Sequence, residues 1–183
     1  SNPSFDENIN LGSVKFNDSY IDTHVDLILK LPFVDSESIK RRKFKVVVDA
    51  VNSTGGIAIP ILLDRLGVET IKLYCDPTGE FPHNPEPLKE NLSDLSNLVV
   101  NEVADLGIVV DPDVDRLAFV SEDGEVFGEE YTLVACADYY LKHNPGNTVS
   151  NLSSSRALRD VSDLNECNHF FSAVGEVNVV ELM

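Results

Sequence analysis

The chain has no apolar run of the roughly 18 residues that a membrane-spanning helix needs, so nothing in it reads as a bilayer span. It is poor in cations, with 14 lysines and arginines against 31 acidic residues and a formal net charge of −17. That balance excludes nucleic acid and anionic membrane surfaces as expected partners, because both repel such a surface. An anionic substrate would need positive charge concentrated locally. There are only 3 cysteines, Cys75, Cys136 and Cys167. They show no CxxC spacing, and the odd count points to reduced, buried thiols in a cytoplasmic protein. Four scattered histidines give no zinc spacing. The first residues, SNPSFDEN, lack the basic head and apolar middle of a signal peptide. The chain opens on Ser1-Asn2 rather than methionine, and GEVNVVELM stops without a helix cap or a closing glycine. We read it as a piece of a longer protein.

What is present is ordinary for a globular chain: 43% hydrophobic and 25% charged residues. At 183 residues it has room for one large domain or two small ones. The stretch that organises it is LGIVVDPDVDRLAFV, Leu106 to Val120. Asp111, Asp113 and Asp115 lie within about 15 Å of extended chain, followed by Arg116 and flanked by β-branched runs that read as strands. Like charges that close repel unless a cation sits between them, and a hard divalent ion prefers oxygen ligands. An EF-hand loop is excluded, since Arg116 stands where that loop requires glycine and strands rather than helices flank it.

The pattern before this stretch alternates helix and strand. Residues 1–17 read as a linker or approach segment. Tyr20 to Leu31 places Ile21, Val25, Ile28 and Leu29 on one helical face, with His24 beside it as a boundary residue, and Pro32 ends the helix. IKRRKFK carries five of the basic residues and reads as a solvated helix end leading into a strand. The strand centred on KVVVD is followed by NSTGG and a helix closed by Gly67. That turn is neither a dinucleotide fingerprint nor a P-loop, and Asn52 is a candidate to line a cleft. TIKLYC is a second strand. Three prolines in six residues stiffen the loop around His83, which we assign to positioning rather than to chemistry. Leu92, Leu95, Val99 and Val103 recur at helical spacing.

Beyond the acidic stretch, Asp123-Gly124 reads as a hairpin turn. TLVACADYYLKHN is a helix, TVSNL a strand, SSRALRDVSDLN a helix capped by Ser153 or Ser154, and HFFSAV a strand leading to Gly175-Glu176 and a last helix. Ser153 to Ser155 could pose as nucleophiles, but no base adjoins them in sequence. The fold class expected is α/β: two small α/β modules with mixed sheets flanked by helices, residues 18–122 and 123–183, the second one truncated and so left with an open sheet edge.

DPDVDR resembles the metal-binding loop of the α-D-phosphohexomutases, the phosphoglucomutase and phosphomannomutase family. VVVDAVNSTGG, GEFPHNPEP, ADLGIVVDPDVDRLA, FGEEY, NLSSSRAL and VGEVNVVELM follow that family's order and approximate spacing from about Tyr20 onward. The resemblance implies a four-domain enzyme in which a phosphoserine of the first domain exchanges its phosphoryl group with a sugar monophosphate. On that basis the chain carries the second domain and part of the third. Asp111, Asp113 and Asp115 are then expected to hold Mg2+, and Arg116, Gly175 and Glu176 to contact the phosphosugar. The serine loop, sugar loop and fourth-domain phosphate clamp would come from the missing first and fourth domains and the rest of the third, so the chain alone is expected to be inactive. The competing expectation is a stand-alone acidic module that binds divalent cations without catalysis.

Overall fold

The structure is a computed structural model that describes residues 12–183; Ser1-Asn2 and the first part of the expected approach segment lie outside them. The chain begins with α1 (Tyr20–Leu29) and α2 (Ser36–Arg42). The strands β1 (Lys45–Asp49) and β2 (Glu69–Leu73) bracket α3 (Gly55–Arg65), and α4 (Ser93–Asn101) leads into β3 (Leu106–Val110). Then β4 (Leu117–Ser121) and β5 (Val126–Phe127) close one five-stranded sheet in the order β2-β1-β3-β4-β5. The first three strands are mutually parallel, and β4 and β5 return antiparallel. The mixed α/β class read from the sequence is the one observed.

The two faces of this sheet follow from the two-residue side-chain period of β1. Val47 points to one face, where Leu92, Leu95 and Val99 of the α4 region pack with Val109, Ala118 and Val120. Val46 and Val48 point to the other, against Leu63 of α3. Each such side chain contributes about 1.5–3 kcal/mol when fully buried. The helices therefore lie on opposite faces, and the chain steps from β1 to β2 on one side and back past β1 to β3 on the other. In open sheets wound this way, the crevice beyond the carboxyl ends of the two strands at the reversal is where ligands bind. Here those strands are β1 and β3.

The second module comprises α5 (Glu129–His143), β6 (Thr148–Asn151), α6 (Ala157–Leu164), β7 (His169–Ser172) and α7 (Glu176–Leu182), with β6 and β7 paired in parallel. Helix α5 ties it back to the first: the Tyr139 hydroxyl donates to the Phe33 carbonyl at 2.9 Å, and the Tyr140 ring meets Phe33 edge-on at 5.2 Å.

Four local expectations are corrected. Val103 is not on the buried stripe of α4. It has φ 53 and is exposed, because the helix stops at Asn101 and this left-handed residue turns the chain so that Ala104 packs instead. Neither Ser153 nor Ser154 caps α6, which begins after Arg156. Both donate to the Asn151 Oδ1 instead, forming a turn at the end of β6. The thiols are unpaired but none is fully buried: Cys75 and Cys167 are partly buried, and Cys136 is exposed on α5. Finally, α1 is shorter than expected by two residues. Gly67 and Gly124 stand where expected, at φ 66 after α3 and φ 83 in the β4–β5 turn, where a side chain would be strained.

Candidate metal and phosphate site

The acidic loop leaves the carboxyl end of β3, directly in the crevice. It is a turn rather than an extended segment. The Val114 N–H donates to the Asp111 carbonyl at 3.2 Å and Val114 takes φ 63, which folds the loop back toward its own start. Asp111 is buried and organises the remainder of the loop: its Oδ1 accepts from the backbone N–H groups of Asp115 and Arg116, each at 3.1 Å. Asp113 and Asp115 are exposed. The turn gathers one oxygen from each of the three carboxylates within 4.8 Å of one another. Pro112 fixes the entrance, and its carbonyl accepts from Ser53 Oγ at 2.6 Å and Thr54 Oγ1 at 3.1 Å, both in the turn after β1. The two halves of the crevice are thus tied together.

The electrostatics match the crowding. A hydrogen bond with Asp111, then the charges of Asp113 and Asp111, push the Asp115 carboxyl above its ordinary range. A cation between the three would reverse that shift by favouring the ionised forms. Three hard oxygens on a cluster this tight suit a small divalent ion of the magnesium or calcium type, and no softer donor is among them.

Arg116 follows on the same loop. Its Nε lies 3.8 Å from Asp111 Oδ2 and 4.0 Å from Asp115 Oδ1, while its Nη1 lies 3.4 Å from Glu86 Oε1. Glu86 is the leading reason the guanidinium is held more firmly protonated. The arginine head remains 43% exposed, so part of its hydrogen-bonding fork faces solvent beside the acidic cluster. The arrangement sets a cation-binding surface next to a fixed positive charge, which suits a phosphoryl group.

Of the residues singled out in the sequence, the structure brings together Asp111, Asp113, Asp115 and Arg116. Gly175 and Glu176 share no hydrogen bond or ion pair with them among the described residues; they begin α7 in the second module, where Gly175 has φ 124 and Glu176 is exposed. Asn52 anchors its turn, donating through Nδ2 to the Glu80 carbonyl at 3.1 Å and through its backbone N–H to the Tyr74 carbonyl at 2.6 Å. His83 reaches Asp49 at 2.9 Å. Sequence reasoning missed Glu86, Asp49, Ser53 and Thr54. The only signal for Glu86 was an acid held between two prolines.

The sequence model for phosphoglucomutase/phosphomannomutase, alpha/beta/alpha domain II, matches residues 18–124. A phosphoglucomutase/phosphomannomutase of Thermococcus kodakarensis is 35% identical over 152 residues, 82% of this chain and 33% of that protein. A probable phosphoglucosamine mutase of Methanosarcina barkeri is 36% identical over 172 residues, 93% of this chain and 38% of that protein. Among solved structures, a phosphoglucomutase/phosphomannomutase family protein from Burkholderia thailandensis matches with a TM-score of 0.71 at 28% identity, covering 88% of this chain and 34% of the other. The chain spans about a third of the length of the curated relatives it matches. By its matched segment, its relatives and its fold, the chain belongs to the phosphoglucomutase/phosphomannomutase family.

Proposed function

We propose that residues 18–122 are the metal-carrying second domain, and residues 123–183 the first part of the third, of a magnesium-dependent phosphohexomutase. Such an enzyme interconverts hexose 1-phosphate and hexose 6-phosphate through an enzyme phosphoserine and a bisphosphosugar. The observation that carries this reading is the convergence of three carboxylates beside a partly free guanidinium at the carboxyl ends of β1 and β3. When bound, the ion supplies charge that stabilises the transferring phosphoryl group. Asp111, Asp113 and Asp115 hold it, Asp111 being fixed by the two backbone N–H groups it accepts. Arg116 keeps its charge at any working pH and offers a planar pair of donors to phosphate oxygens. Positioning and electrostatics of this kind supply most of the catalysis in phosphoryl transfer. We assign Gly175 and Glu176 to substrate contact. Three unpaired cysteines support a cytoplasmic setting, and the net charge of −17 argues against nucleic-acid and membrane partners.

The serine loop, sugar loop and phosphate clamp are not among these residues, so the 183-residue chain alone is expected to give no turnover. A coupled assay converting glucose 1-phosphate to glucose 6-phosphate tests this. The longer protein carrying these residues should turn over and lose activity on Asp113→Ala. Turnover by the 183-residue chain that survives repurification and disappears on Asp113→Ala would overturn the division of labour proposed. Titration calorimetry separates the competing cation-module reading: weak magnesium binding fits a site completed by a phosphoserine, whereas tight, calcium-preferring binding fits the module.

A further inference from the structure

Asp49 ends β1 and is 1% exposed. Its two oxygens serve two different segments. Oδ1 accepts the Val51 N–H at 3.0 Å, and Oδ2 faces His83 Nε2 at 2.9 Å. His83 Nδ1 lies 2.8 Å from the Asn84 carbonyl, which can only accept, so Nδ1 carries a hydrogen. The first arm supports an unusual backbone. Val51 has φ 45 and Asn52 φ 55, and a β-branched residue in the left-handed region is a strained one. That turn delivers Ser53 and Thr54 to the Pro112 carbonyl, at the base of the acidic loop. The second arm pins the proline-rich loop through His83, whose ring also meets Tyr74 edge-on at 5.8 Å. This loop carries Glu86, braced by Asn91 Nδ2 donating to the Glu86 carbonyl at 2.9 Å, and Glu86 reaches Arg116. Both arms start on one buried carboxylate and end on the same six-residue loop.

We infer that Asp49, His83 and Glu86 are positioning residues for that loop, with Glu86 holding the Arg116 guanidinium off the three metal-binding carboxylates. Without Glu86, the anions left beside Arg116 are Asp111 and Asp115, and an arginine paired with them would compete with a cation for the same oxygens. With Glu86 on Nη1, the guanidinium keeps only long contacts with Asp111 and Asp115, 3.8 and 4.0 Å, outside hydrogen-bond distance, so a cation can still draw on those oxygens and the open side of the guanidinium stays directed at solvent, where a phosphate would come. The phosphate part of this inference rests on the function proposed above; the positioning part rests on geometry alone.

Nuclear magnetic resonance of the 15N-labelled 183-residue chain reads the positioning directly. The Arg116 Nε–Hε resonance is identified by its loss in Arg116→Lys. Glu86→Gln is expected to move that resonance toward the position of free arginine, with backbone amides beyond the loop unchanged. Asp49→Ala should move it as well. Asp49→Asn should restore it, because an asparagine oxygen still accepts from Val51 and its amide donates to His83 Nε2. A resonance unchanged in both Glu86→Gln and Asp49→Ala overturns the inference, as does a shift in Asp49→Asn as large as in Asp49→Ala. In the longer protein, Glu86→Gln should raise KM for the phosphosugar about fivefold while kcat changes less than about twofold. If the arginine resonance moves and KM does not, positioning stands and the assignment of Arg116 to phosphate falls.

Discussion

Replacing His83 with alanine should destabilise the chain by an amount that grows as pH rises. The substitution removes the partner of Asp49 Oδ2 and leaves the Val51 N–H as the remaining donor to a carboxylate that is 1% exposed. Burial is the leading cause that pushes the Asp49 carboxyl above its ordinary 3.8, and the charge of Asp94 adds to it; the Val51 and His83 hydrogen bonds oppose them. A carboxyl raised in the folded state contributes stability that is whole below the unfolded value and is lost as pH climbs through the folded one. Deleting His83 removes two opposing influences, so the folded value climbs further and the loss deepens. Breaking a buried charged pair costs about 3–5 kcal/mol. The His83 side chain is 15% exposed, which lets water reach the gap, so about 2–3 kcal/mol is expected near neutral pH. Toward the acid end of the range the raised carboxyl is more readily protonated, so the penalty should shrink toward the about 1 kcal/mol of the lost ring contact with Tyr74.

Urea unfolding followed by circular dichroism, from about pH 5 to about pH 7.5, measures this directly. Lower pH is avoided because the isoelectric point is about 4.4, where near-zero net charge promotes association. In an Asp49→Asn background the part of the pH slope that comes from the carboxyl should be lost, so the slope of the His83→Ala penalty should change from its wild-type value. A penalty that is flat or shrinks with rising pH in the wild-type background would refute the account of a buried, partnered carboxylate.

Three further outcomes rest on the same geometry. Asp113→Asn relieves repulsion within the triad, so it should raise the melting temperature slightly in chelator yet reduce the gain on adding magnesium, with affinity by calorimetry down about tenfold. Gly56→Ala places a Cβ 2.2 Å from the Cys75 carbonyl oxygen, a backbone atom that cannot swing aside, so thermal unfolding should show a loss of about 2–3 kcal/mol; Gly146→Ala, with nothing within 4 Å, should be nearly neutral. Burial pushes the Cys75 thiol up to about 11, so at mildly alkaline pH iodoacetamide should label exposed Cys136 well before Cys75, as read by peptide mass spectrometry.

The elements were legible where a local pattern determines them. The β-branched runs at 46–48 and 108–110 form strands because both sheet faces are covered there, and Leu92, Leu95 and Val99 share the face of α4 that covers one of them. The failures were also local, but in backbone choices that a hydrophobic period does not encode. Val103 fits the helical spacing and yet takes φ 53, because the chain must reverse before β3 can pair with β1. Ser153 looked like a cap because serine is a common one, but Asn151 offered its side-chain oxygen first.

The candidate site divides the same way, by sequence separation. Asp111, Asp113 and Asp115 could be read as one cluster because a single turn, with Val114 at φ 63, is enough to gather them. Glu86 meets Arg116 thirty positions away, and His83 meets Asp49 across thirty-four. Those contacts exist because β1 and β3 are neighbours in the sheet while the proline-rich loop, which follows β2, folds back over the carboxyl end of β1. A sequence specifies such an arrangement only through the whole topology. The functional claim most dependent on topology is therefore the proposed aim of Arg116: of the residues inferred to set it, composition and spacing pointed to His83 but left Asp49 and Glu86 unremarked.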